Sequence, residues 1–114
     1  MGLFDKKVEA DADGYFPATA VSDVIDGEIT AVTINDTKII LLRWQEQIHA
    51  LSSKCPHAAA DMSGGEVYRG KVECPDHGYV FDIKTGRTLW PEDEMVCLKR
   101  YPIKVVDDVV KVKI

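Results

Sequence analysis

Cys55-Pro56-His57-Ala58-Ala59-Ala60-Asp61-Met62 and Cys74-Pro75-Asp76-His77-Gly78-Tyr79-Val80-Phe81-Asp82 are the two stretches that decide how this chain is read. Each places a cysteine and a histidine in one tight turn, and sixteen residues separate His57 from Cys74. Two thiolates with two imidazoles suit either a tetrahedral zinc or a 2Fe-2S cluster in which the histidines hold one iron and the cysteines the other. Ligand order separates the two. A zinc finger usually takes both cysteines from one knuckle and both histidines from one helix. Here each loop supplies one of each type, so two similar loops can close over a two-iron cluster, cysteines at the inner iron and histidines at the outer. The candidate ligands are Cys55, His57, Cys74 and His77, and the candidate cofactor is one 2Fe-2S cluster, with structural zinc as the alternative.

At these residues the sequence resembles the Rieske family. Gly64-Gly65-Glu66-Val67 and Thr85-Gly86-Arg87 also fit. The similarity is dense from about Cys55 to Arg87 and merely compatible outside it. Respiratory-chain members of that family carry an extra cysteine in each loop, joined as a disulfide, and a serine and a tyrosine whose hydroxyls bond to cluster sulfurs. Aligned by its ligands, this chain has Ala60 and Asp76 at the disulfide positions, Tyr79 at the serine position and Phe81 at the tyrosine position. Without hydroxyl donors the more negative reduced state is less stable, which lowers the potential. The resemblance is thus to the Rieske-type ferredoxins. It implies a one-electron carrier that takes electrons from a flavin-dependent reductase and delivers them to a terminal oxygenase. A fully ligated cluster leaves no open iron site, so the chain is expected to be a transfer component and not itself an enzyme. Two other readings are a small subunit resembling that of assimilatory nitrite reductases, and a structural or regulatory module stabilised by zinc or a cluster.

Several neighbours of the ligands acquire expected roles. Pro56 and Pro75 stiffen the turns, and Gly78 lets the backbone pass close to the cluster with its amide free to point at sulfur. Gly64-Gly65 permits a sharp return or a plain surface turn. Trp90-Pro91 falls where the family has a loop covering the cluster, with core packing as an equal explanation for Trp90. Asp61 and Asp82 suit turn caps, and Glu92-Asp93-Glu94 a solvated turn. Ala58, Ala59, Asp76 and Tyr79 are expected where a partner docks at the cluster tip. His49 has no second ligand at suitable spacing and reads as a surface or hydrogen-bonded histidine. Cys97, between Val96 and Leu98, reads as a small buried hydrophobe.

Outside the motifs the chain reads as short strands. Ala18 to Val21 is one; Ile29 to Ile34 and Lys38 to Arg43 form a hairpin about Asn35-Asp36; Gln47 to Leu51 is another strand. Tyr101 to Val106 and Val109 to Ile114 flank Asp107-Asp108 as a second hairpin. No segment has a helical period with caps. The fold class is therefore all-β: a Rieske-like antiparallel β domain with an inserted cluster-binding subdomain at about residues 53–90. The whole, 1–114, is expected to be a single domain with residues 1 to about 14 as a loose arm.

Composition agrees. At 114 residues and 46 % hydrophobic content, one core is the default. The longest apolar run, Ile39-Ile40-Leu41-Leu42, is far short of the roughly 20 residues that span a bilayer, and Met1 to Lys7 lacks the apolar core of a secretory signal. A cytoplasmic monomer with no membrane contact is expected. Three cysteines, two of them claimed as ligands, fit a reducing compartment. The first fifty residues carry four basic against nine acidic groups, and the remainder ten of each. So acidic a chain is a poor ligand for nucleic acid; the acidic half solvates the surface or steers a basic redox partner. No paired carboxylates, Ser/His/Asp set or phosphate-binding glycine loop stands out.

Overall fold

The four aliphatic residues Ile39 to Leu42 are fully buried in succession, which a strand permits only when both its faces are covered. The structure, a computed structural model, describes residues 10–56, 60–76, 78–92 and 95–114. It places this run in β3 (Thr37–Trp44), flanked by β2 (Thr30–Ile34) and β4 (Gln47–Ser52). Alternate side chains diverge: Ile39 and Leu41 join a core with Val24, Ile34, Ala50, Val110 and Val112, whereas Ile40 and Leu42 join a second with Leu51, Met62, Val72, Phe81 and Leu98. Each such side chain contributes about 1.5–3 kcal/mol by leaving water.

The remaining strands are β1 (Phe16–Ala20), β5 (Glu66–Tyr68), β6 (Lys71–Glu73), β7 (Val80–Asp82), β8 (Thr88–Trp90), β9 (Arg100–Tyr101), β10 (Ile103–Val106) and β11 (Val109–Val112). They form antiparallel sheets ordered β1-β11-β10, β2-β3-β4-β9 and β5-β6-β7-β8. The third sheet is the insertion. Its neighbours in the chain, β4 and β9, pair directly through Ala50 with Tyr101 and Leu51 with Arg100. The all-β, antiparallel reading with an inserted subdomain matches this architecture, and among the described residues the helical structure amounts to two 3-10 turns, Val21–Asp23 and Met62–Gly64. No helix among the described residues is long and apolar enough to cross a membrane.

Both expected hairpins form. Asn35 and Asp36 have φ of 46° and 72°, and Asp107 and Asp108 have 51° and 63°, the left-handed pair that two-residue hairpins require and that Asn and Asp tolerate. Gln45 and Glu46 adopt the same conformation between β3 and β4. The first strand starts two residues earlier than expected, at Phe16, and ends at Ala20, because Val21 already belongs to a 3-10 turn.

Three expectations are corrected. The arm is not loose as far as residue 14: Asp11 accepts from the amides of Asp13 and Tyr15 and pairs with Lys104 at 2.9 Å and Lys111 at 3.3 Å. The Lys104 ammonium, aided by the Tyr15 amide, holds the Asp11 carboxyl well below the usual carboxylate range. Residues 1–9 lie outside the described ones. Cys97 is exposed, since its segment is laid along the edge of the third sheet by a bridge to Arg87. His49 is not at the surface: it is 8 % exposed, and its buried Nε2 has no partner among the described residues.

Burial, reinforced by Arg100 and Lys84 and opposed by Asp82, holds the His49 imidazole below its ordinary 6.5. The unfolded chain therefore binds the extra proton more readily than the folded one. Stability from this residue is present above pH 6.5 and is lost as pH falls below that value. Urea denaturation midpoints measured from pH 7.5 down to about pH 5, the span in which histidine titrates, should fall for the wild type and fall less for His49→Leu. Parallel curves for the two proteins would contradict the assignment.

Candidate metal centre

Each cysteine opens a loop that is closed in the same way. After Lys54 bridges Asp61, the Cys55 amide donates to the Ala60 carbonyl at 2.9 Å. After Glu73 pairs with Val80, the Cys74 amide donates to the Tyr79 carbonyl at 2.8 Å. In both loops the bond runs from the cysteine to the fifth residue beyond it, with an antiparallel pair just outside. Pro56 and Pro75 follow the cysteines at equivalent, exposed positions, fixing φ where the chain leaves the ladder.

The two loops converge. Cys55 and Cys74 are each 1 % exposed and share one buried cluster with Met62, Val72 and Phe81. A Cβ on Gly64, in the 3-10 turn after the first loop, would lie 3.8 Å from Pro75 in the second. Asp61 caps that turn by accepting from the Ser63 amide at 2.9 Å and hydroxyl at 2.7 Å. Its ion pair with Lys38, then these Ser63 bonds, hold its carboxyl at about 2. Asp82 caps the turn after β7 through the Lys84 amide. Both aspartates thus do what their positions suggested.

Gly78 adopts φ +70°, a conformation that costs any other residue free energy, so its place in the motif has a backbone reason. Its amide, expected to be free, donates to the Cys74 carbonyl at 3.2 Å. Trp90 is 54 % exposed and so is not core; its ring meets Tyr79 edge-on, centroids 6.4 Å apart. His57, His77, Ala58, Ala59, Asp93 and Glu94 lie outside the described residues, among which no three metal-ligating side chains come together. What the structure brings together is the thiol half of the expected ligand set. Two buried cysteines on equivalently closed loops fit a soft metal centre.

The Rieske [2Fe-2S] domain pattern matches residues 14–102. The chain belongs to the Rieske [2Fe-2S] domain family. Its cofactor is accordingly a Rieske-type 2Fe-2S cluster. The ferredoxin component of the naphthalene 1,2-dioxygenase system of Pseudomonas putida is 33 % identical over 92 residues, covering 80 % of this chain and 86 % of that one. The Sphingomonas yanoikuyae B1 ferredoxin superposes with a TM-score of 0.79 at 27 % identity, covering 87 % of this Rieske chain and 97 % of its counterpart. A chain in the complex of reduced oxygenase and oxidized ferredoxin of carbazole 1,9a-dioxygenase gives 0.78 at 27 % identity, with 88 % and 93 % coverage. This Rieske protein is similar in fold and extent to ferredoxins of oxygenase systems.

Gly65 ties the sheet of the Rieske insertion to the second loop. A Cβ there would sit 2.0 Å from the Glu73 carbonyl oxygen, one residue before Cys74, so β5 would have to move off β6. Gly65→Ala should destabilise the protein by about 1–3 kcal/mol, as overpacking does. Gly64→Ala, whose Cβ would meet only Pro75 at ordinary van der Waals distance, should stay within about 0.5 kcal/mol. Chemical denaturation of the two variants compares them; equal losses would mean that the close approach at Gly65 is not constraining.

Proposed function

We propose that this chain is the ferredoxin of an oxygenase system, carrying one electron at a time from a flavin-dependent reductase to a terminal oxygenase. The matched closure of the Cys55 and Cys74 loops over one buried cluster carries this reading. In it Cys55 and Cys74 hold one iron, and His57 and His77 hold the other. When bound, the cluster supplies a reversible one-electron couple. The chain's own residues position it: Pro56, Pro75 and the two Cys amides fix the loops, and Met62, Val72 and Phe81 exclude water from the thiol side. A cluster with every iron position filled by protein offers no site for a substrate, so the chain transfers electrons without transforming a molecule itself. We take residues 1–114 as one domain, monomeric and cytoplasmic.

Replacing any one of Cys55, His57, Cys74 and His77 should abolish the 2Fe-2S signal, because each iron needs both protein ligands, while Cys97→Ser should leave it unchanged. Electron paramagnetic resonance of the reduced protein should give the low average g-value of mixed nitrogen and sulfur ligation. Loss of the cluster in Cys97→Ser, with Cys55→Ser or Cys74→Ser retaining it, would refute the assignment.

The potential follows from the side chains at the loops. Phe81, at the tyrosine position, is fully buried, pairs with Val72 and has no hydroxyl to donate. Voltammetry should place the couple near the low end of the roughly −150 to +300 mV Rieske range. Tyr79→Ser with Phe81→Tyr should raise it. A wild-type value on the order of the upper end of that range would remove the case for a ferredoxin.

A further inference from the structure

The third sheet ends in exposed apolar residues that belong to neither hydrophobic core. Its edge strand β8 carries a bulge: Phe81 pairs with Thr88 and Val80 with Trp90, leaving Leu89 as the extra residue. Consecutive residues Leu89 and Trp90 are both exposed, as a bulge allows. Alongside, Met95 to Leu98 run antiparallel to the strand. They are fixed by the Arg87 to Cys97 bridge, by the Leu98 amide donating to Gly86 at 2.7 Å, and by the Thr88 hydroxyl donating to the Val96 carbonyl. That register sets Met95 across from Leu89. Met95 is 90 % exposed and Val96 is exposed beside it.

Single exposed aliphatics need no explanation, but a contiguous exposed set of this kind marks an interaction surface. Its occupant follows from its place. The Trp90 ring touches Tyr79, the residue whose carbonyl closes the Cys74 loop. A partner exchanging electrons at that loop must cover the surface around Tyr79, and Trp90 lies within that footprint. Asp76 in the same loop and Glu92 just after Pro91 are exposed acids, on a chain of net charge −5.

We propose that Leu89, Trp90, Met95 and Val96 form the apolar anchor onto which the redox partner docks, and that the partner presents an apolar recess with a basic rim. This rests on the electron-carrier reading above. Trp and Met are side chains that interfaces favour at their buried centre, and the surrounding acids steer the approach and set orientation. These four residues extend the contact well beyond the tip residues Asp76 and Tyr79.

Stopped-flow transfer, with the cluster loaded, is measured against the reductase and oxygenase components of the naphthalene 1,2-dioxygenase system as fixed probes. Met95→Glu and Leu89→Glu should lower the second-order rate at least about tenfold, the scale of losing one interface anchor. Visible and paramagnetic spectra and the potential of Met95→Glu should match the wild type. Val105→Glu, also an exposed aliphatic but in the first sheet, should transfer at the wild-type rate. The Trp90→Ala deficit should persist at high salt, where a purely electrostatic effect is screened. Wild-type rates in both glutamate variants would overturn the proposal. So would a Trp90→Ala deficit accompanied by a shifted potential with Met95→Glu unaffected, which assigns Trp90 to cluster shielding. The carrier reading fails separately, if the wild type is reduced by dithionite yet exchanges electrons with no reductase and no oxygenase.

Discussion

Everything in this molecule depends on β3, whose consecutive aliphatic residues are divided between two cores. Ile39 and Leu41 close the framework against β11, and Ile40 and Leu42 reach the cluster that holds both cysteines. A one-residue slip of its pairing with β2 and β4 would exchange the two sets, so the turns at Asn35-Asp36 and Gln45-Glu46 fix the register from both sides. The metal centre is therefore positioned by a strand that supplies none of its ligands.

Pinning the ends of the insertion has a second consequence. The Ser52 amide donates to the Lys99 carbonyl at 2.8 Å, so the chain leaves and re-enters the framework at neighbouring points. Loop-closure cost grows only slowly with the length between them. The insertion is free to build its own four-stranded sheet, whose tight hairpin at Arg69-Gly70 and capped turn after Asp82 leave the longer Cys74 loop as the irregular connection. The first cysteine loop sits outside that sheet, yet Lys54 and Asp61 frame it as Glu73 and Val80 frame the second. Equivalent frames give the two cysteines equivalent backbone positions at the mouths of their loops.

What the sequence made legible follows from locality. Asn35-Asp36 and Asp107-Asp108 carry their turn chemistry in their own side chains, and the Cys-Pro islands carry their ligand chemistry in theirs. Gln45-Glu46 adopts the same turn without a favourable residue, because Leu42 and His49 are already paired across it. His49 is buried by packing that no periodicity near residue 49 announces, and Asp11 is anchored by Lys104 and Lys111 from the far end of the chain. Cys97 misled for the converse reason. Its apolar neighbours suggested a core, but in this edge segment Leu98 is buried while Cys97 beside it is exposed.

The site has an inner side and an outer side, and its chemistry differs between them. The thiols lie among Met62, Val72 and Phe81 with almost no exposure, whereas Pro56, Pro75 and Asp76 in the same loops face solvent. Under the proposed ligation, a thiolate in so apolar a lining needs a compensating charge beside it, which iron would supply, so that binding the metal would be coupled to holding the loops closed. A substrate would need a path for atoms into that lining. An electron needs only proximity, which the loop surface provides, and so a centre sealed on its inner side remains open to exchange on its outer one.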